Sequence, residues 1–229
     1  MNVTDAINLR KSIRAFQPDP IAKSDLHDLL TTAQRAPSGS NVQPWRVIAV
    51  TGQEQKAVTE LAMQSFQSGV IATRPIEPPF SLNYEALDPI YLERSQQMGA
   101  LMTEAAGIER SDAEGRQKLA IRNFHFFDAP VGLFFVLDKR FNPAQWGHTG
   151  MYLQTICLLA VERGWGTCIQ EAWAMFRPEL HRHFRLQENE LVWCGMSLGV
   201  PDQSARANSY FTSRAPVEEV VSFLGFENQ

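Results

Sequence analysis

The sequence predicts an α+β fold, and three observations carry that prediction. Segments with helical periodicity outnumber strand-like ones, strands do not alternate regularly with helices, and no G-x-G-x-x-G or G-x-x-x-x-G-K-[ST] motif occurs. The first two argue against a doubly wound parallel sheet. The third removes the dinucleotide fold and the Walker phosphate site. With 229 residues, 44% hydrophobic and 20% charged, the chain has the size and composition of one globular domain spanning 1–229.

Taken in order, Thr4 is placed to cap a short helix running to Leu9, and Ser24 to cap a second in which Leu26, Leu29, Leu30 and Ala33 share a face. Between them, the basic run Arg10 to Phe16 is followed by Pro18 and Pro20, which forbid regular helix and set the run on a bend. Ala36 to Pro44 is a loop by composition, and Trp45 to Val50, rich in β-branched and aromatic residues, is a strand closed by Gly52. A helix follows from about Gln53 to Met63, after which 65–88 turns irregular at Pro75, Pro78 and Pro79. From Pro89 to Phe127 the pattern is a helical hairpin broken around Gly107 to Gly115. Val131 to Leu137 is a continuous apolar run of strand length, which predicts a central strand covered on both faces. Gln145 to Arg163 is a long helix ended by Gly164. The chain then turns back over 164–170, forms a short helix from Pro178 to Phe184, and enters a second buried strand from Leu191 to Val200, where Gly195 and Gly199 mark close packing. Beyond Arg214, Val217, Val220, Val221 and Leu224 make one more apolar face.

Charge and composition exclude several functions. A formal net charge of -4 gives no electrostatic attraction to nucleic acid. The longest apolar runs fall short of the ~18 residues of a membrane span, and Met1 to Arg10 has no apolar core of signal-peptide length, so no membrane association and a cytoplasmic location are expected. Cys157, Cys168 and Cys194 form no C-x-x-C pair and no recognisable pairing with a histidine, which makes them buried small hydrophobes rather than nucleophiles. His181 and His183 diverge on a helix, and no H-E-x-x-H supplies ligands, so no metal is expected.

The chemistry-bearing segments are two. Arg10, Lys11, Ser12 and Arg14 put three cations and a hydroxyl within five residues, a set suited to phosphate because guanidinium groups bind oxyanions through forked, charge-assisted bonds. A short basic run is more often a solvated surface, so this run alone is a weak signal. Pro37 to Pro44 adds hydroxyls, an amide and a glycine able to approach a polar ring edge or a sugar closely, or simply to form a capped turn.

Their ordered combination is specific. Arg10-Lys11-Ser12-Ile13-Arg14-Ala15-Phe16, Ala36 to Trp45, Gly164 to Ala172, Cys194 to Gly199 and Ser213-Arg214-Ala215-Pro216 resemble, in order and over nearly the whole chain, the nitroreductase family of flavin enzymes, in particular its nitrobenzoate reductase branch. The resemblance implies a central mixed, mostly antiparallel sheet flanked by helices, a helical cap inserted at about 66–122, and a homodimer with an exchanged C-terminal segment and FMN at the subunit interface. It implies that Arg10, Ser12 and Arg14 serve the flavin phosphate and ribityl chain and Arg214 the phosphate, with Lys11, at a position that varies in the family, as a further cofactor-binding cation. Pro37, Ser38, Gly39, Ser40 and Asn41, with Gln43 beside them, match a loop that reaches the partner's flavin. Gln170, Glu171 and Ala172 match the turn whose backbone amides face the isoalloxazine, though the family often has glycine where this chain has Ala172. Asn123, or Arg122 at an offset of one, falls near a contact to the pyrimidine edge. Tyr84, Tyr91, Phe124 and Phe127 are candidates either for an aromatic substrate pocket or for packing of the cap. The implied activity is NAD(P)H-dependent, ping-pong reduction of a small aromatic or quinone-like acceptor, nitro to hydroxylamine. The same fold also leaves open enoate reduction, dehalogenation, flavin destruction or non-enzymatic FMN binding.

Overall fold

The computed structural model describes residues 1–73, 88–109 and 111–226. At its centre is a four-stranded sheet of β1 (Arg46–Val50), β2 (Val131–Asp138), β3 (Gly166–Gln170) and β4 (Glu190–Gly199), in the order β1-β2-β4-β3 with every neighbouring pair antiparallel. Around it lie α1 (Val3–Leu9), α2 (Lys23–Ala33), α3 (Gly52–Gln67), α4 (Val70–Thr73), α5 (Pro89–Ala105), α6 (Ala113–Ile121), α7 (Pro143–Glu162), α8 (Arg177–His183) and α9 (Val217–Val220). The fold is α+β. Parallel pairing enters through an isolated bridge, Ser12 to Thr167.

β2 is central because it carries no polar side chain before Asp138, and Val131 to Leu137 are all buried. Alternation divides it between two cores. Phe134 and Val136 join Val58, Phe124, Phe126, Trp173 and Phe176 on one face, while Val131, Leu133 and Phe135 join Leu29, Ala33, Tyr152 and Ile156 on the other. The register shifts between Phe135 and Val136, which pair with Cys194 and Val192, so Trp193 is the extra residue of a bulge. That bulge places Val192 and Cys194 in opposite cores although they are two residues apart.

Several sequence expectations are corrected by tertiary context. The stretch 164–170, expected to be only a return turn, contains β3; its Thr167, Cys168 and Ile169 suit a strand, and pairing with β4 outweighs the two flanking glycines. The basic run is not a simple bend: Ile13 N–H donates to Thr167 O at 2.9 Å and Gln17 N–H to Val200 O at 2.8 Å, so the chain runs along the edge of β3. α1 is capped by Asn2 in a capping box with Asp5, not by Thr4, and α2 begins after Ala22 without a side-chain cap. α3 continues to Gln67, with Ser65 returning its hydroxyl to Leu61 O, and stops before Gly69 at φ 71. Tyr84 and the three prolines at 75, 78 and 79 lie outside the described residues.

Candidate functional site

Pairing along β3 makes the run extended, so Ile13 and Ala15 turn inward while Arg10, Ser12 and Arg14, spaced by two, share the other face; Phe16, which bridges to Pro201, is buried in turn. Gly166 makes this possible: a Cβ there would fall 2.5 Å from Ile13 Cγ1. Asn208, itself buried, fixes the run from 194 residues away. Its Oδ1 accepts from Arg14 N–H at 2.8 Å, its Nδ2 donates to Ala15 O at 2.8 Å and Asp202 O at 2.9 Å, and its carbonyl accepts from Lys11 Nζ.

The result is a cavity of about 560 Å³ lined by Arg10, Lys11, Ser12, Arg14 and Arg214, together with Asn8, Met98, Gln154, Tyr210, Phe211 and Thr212. Four cations face it and no carboxylate is among its lining residues, although the chain as a whole is net negative. Arg14 Nη1 donates to the Tyr210 hydroxyl at 2.8 Å, and Lys11 Nζ stands 4.1 Å from the centre of the Phe211 ring. Burial lowers the pKa of Lys11. Arg214 folds back on its own chain, donating to Thr212 Oγ1 at 2.6 Å and Ser213 O at 2.8 Å. The donor set suits a phosphate dianion, since each cation presents N–H groups that such an anion accepts.

The Pro37–Gln43 segment lies elsewhere in the fold. Gly39–Asn41 is a short 3-10 turn against α7, where Gly39 N–H donates to His148 Nδ1 at 3.3 Å. Ser40, Asn41 and Gln43 hold φ of 54°, 53° and 51°, left-handed values that cost non-glycine residues about 1–3 kcal/mol each and persist only when the surroundings impose them. Gln154, on the cavity wall, is six residues from His148 on α7, about 9 Å along the axis and roughly 120° around it. One chain therefore does not bring this loop onto its own cationic cavity.

A second strained turn sits beside the end of β3. Phe126, Phe127 and Asp128 have φ of 52°, 53° and 69°. Gln170, almost fully buried, holds this turn by donating to Asn123 O and accepting from Ser197 Oγ at 2.9 Å. The next residues, Glu171–Phe176, form a 3-10 turn whose first N–H groups, those of Glu171 and Ala172, have no acceptor within the helix. Ala172 has helical backbone angles there, so no glycine is required.

Comparison with known proteins places this geometry. The nitroreductase family model matches residues 7–200. The chain belongs to the nitroreductase family. Among its relatives, a chloronitrobenzene nitroreductase of Comamonas testosteroni is 36% identical over 97% of this chain and 96% of its own length. A 4-nitrobenzoate reductase of Pseudomonas putida is 34% identical over 95% and 93%. The solved structure of an FMN and NADPH-dependent nitroreductase, NfnB of Sphigopyxis sp. strain HMH, superposes with a TM-score of 0.93 at 31% identity, covering 99% of this chain and 100% of that one.

Within this nitroreductase-family chain the predicted residues fall into separate groups. Arg10, Lys11, Ser12, Arg14 and Arg214 meet in one cavity. The loop from Pro37 to Gln43 stands apart on α7, and Asn123, Gln170, Glu171 and Ala172 cluster at the end of β3. Arg122 is engaged by Asp128 at 3.0 Å. Phe124 and Phe127 are 2% exposed and belong to the hydrophobic core, with Phe124 edge-on to Trp173 and Phe176, so they pack rather than line an open pocket. Tyr91 is half exposed on α5 and does not line the cationic cavity. Sequence reading missed Asn208, Tyr210, Met98 and Gln154. The i, i+2 spacing of Arg10, Ser12 and Arg14 was the available signal for an extended run, but nothing local marks Asn208.

Proposed function

We propose that this chain is an FMN-dependent reductase that takes electrons from NAD(P)H and reduces nitroaromatic compounds. One observation carries the reading: a cavity ringed by four cations and three hydroxyl-bearing residues, without a carboxylate, in a chain of net negative charge. In this reading Arg10, Arg14 and Arg214 bind the flavin phosphate, Ser12 donates its hydroxyl, and Lys11, steadied by Asn208 and Phe211, adds a nearby positive charge. The amides of Glu171 and Ala172 are free donors for the ring edge, with Asn123 beside them and Gln170 fixing both turns from within. When bound, FMN supplies the redox chemistry, and the protein contributes binding, orientation and electrostatics.

The chain acts as a homodimer in which Pro37–Asn41 and Gln43 of one protomer complete the partner's flavin site and the C-terminal segment crosses between protomers. The distance of this loop from its own cavity supports that arrangement, as do the exposed apolar side chains of α1, α9 and the chain end. α5 and α6 form the cap within one domain. α5 buries little beyond Ala105 and is tied down by Arg94 to Glu219 at 3.1 Å. The relatives named for nitroaromatic reduction support the acceptor class.

Purified protein, or apoprotein mixed with FMN, is expected to be yellow, to bleach anaerobically with NADH or NADPH, and to recolour with a nitrobenzoate. Double-reciprocal plots should give the parallel lines of a ping-pong enzyme. Arg10→Ala and Arg14→Ala should each weaken FMN binding at least about tenfold, the loss of a charge-assisted bond. A protein that never acquires a flavin spectrum sinks the proposal. One that is yellow but is not reduced by either nicotinamide is a carrier instead.

A further inference from the structure

Gly39 and His148 meet across 109 residues of sequence, with the Gly39 N–H directed at Nδ1. The approach is close enough that a Cβ at position 39 would lie 2.9 Å from His148 Cε1, which only glycine avoids. The loop's other bonds, Asn41 N–H to Ser38 O, Val42 N–H to Gly39 O, Gln43 N–H to Ser38 Oγ and Gln43 Nε2 to Asn41 O, begin and end within the loop, so they fix its shape without fixing its place. His148 stands on α7, whose next residue, Thr149, is fully buried, and this contact ties the loop to a rigid element.

The geometry selects which ring nitrogen of His148 accepts. Nδ1 also lies 3.2 Å from Gln145 Oε1, and one nitrogen cannot accept from Gly39 and donate to Gln145. The Gly39 hydrogen is fixed by the backbone, whereas the Gln145 amide can turn to present its NH2, so Nδ1 is the acceptor and the neutral ring carries its hydrogen on Nε2.

We infer that His148 is a positioning residue of the reductase. By accepting from Gly39 it holds the Ser38–Asn41 turn in the place where it meets the flavin of the partner protomer. This rests on the proposed reading that Pro37–Gln43 is flavin-facing.

Full-length His148→Leu and His148→Asn proteins, stripped of flavin, test the inference by FMN titration and by amide exchange over Ser38–Gln43. Leucine fills space without an acceptor, and asparagine offers Oδ1 close to the place of Nδ1. His148→Leu should weaken FMN binding about tenfold and speed exchange at Gly39 by a similar factor, with an unchanged melting temperature. His148→Asn should restore both to within about threefold. If the leucine protein does not fold, His148→Ala is read in the same way. Unchanged FMN affinity, faster exchange without loss of affinity, or failure of asparagine to rescue overturns the inference. Arg14→Ala separates the two ideas. If it also leaves FMN affinity unchanged, the cofactor site is misassigned; if it weakens binding while His148→Leu does not, the cofactor site stands and the role of His148 falls.

Discussion

Cys168 lies beneath the cationic run, where burial pushes its thiol up to about 11 against the pull of Arg14 and Ser12. Burial likewise raises Cys157, which accepts from Thr167 Oγ1 at 3.2 Å, and Cys194. At pH 8 all three remain protonated, and thiolate rather than thiol is the reactive form. A disulfide-exchange reagent should therefore find no reactive thiol in the native protein at pH 8 and three after unfolding in denaturant. A rapid native reaction would show that one of them becomes exposed. Asn208 shows how a single neutral side chain organises charge: it satisfies Arg14 N–H, Ala15 O and Asp202 O at once, leaving the guanidinium of Arg14 to point at Tyr210 and the cavity.

At the scale of elements, β4 packs closely against an aromatic ring. A Cβ on Gly195 would fall 2.3 Å from Trp173 Cδ1. The indole cannot retreat, since Phe124, Phe126 and Phe134 stand with ring centres 5.3, 4.9 and 5.0 Å away. Gly195→Ala should destabilise the protein by roughly 1–3 kcal/mol, the usual effect of overpacking, read as a lower urea midpoint with the same slope. No change would mean that the 3-10 turn bearing Trp173 moves as a unit, and FMN affinity would then fall with it, because Glu171 and Ala172 begin that turn. The glycines at 195 and 199 and the long apolar run of β2 were legible in sequence because each reflects a local requirement. β3 was not: Thr167, Cys168 and Ile169 suit a strand, but Gly164 and Gly166 mask them in the sequence and pairing with β4 decides the outcome.

For the whole molecule the open question of packing lies at the surface. Val220, Phe223, Leu224 and Phe226 are 66, 62, 85 and 77% exposed at the end of the chain, while Val3, Ile7 and Leu9 of α1 and Ile169 of the edge strand are also uncovered. An apolar segment of this kind calls for a second surface, and in the proposed homodimer a second copy would supply it. Ending the chain at Pro216 leaves Arg214 in place yet should weaken the dimer and release flavin together, measured by sedimentation and by absorbance of the filtrate. A truncated protein that stays a flavin-loaded dimer would refute the exchange.

The sequence by itself determined what depends on near neighbours in the chain: the α+β class, the buried strand at Val131–Leu137, the long helix ended by Gly164, the positions of close packing and, through five ordered motifs, the family. Tertiary structure alone decided which distant groups meet. It set Arg214 beside Arg10 and Arg14, placed Asn208 under the run, paired Gly39 with His148, and assigned Phe124 and Phe127 to the core. These outcomes depend on contacts between residues far apart in the chain, Lys11 and Phe211 at 200 positions among them, and no local periodicity encodes them. The three left-handed residues at Phe126–Asp128 make the same point, since their strain is imposed by the surrounding fold and opposed by their own preferences.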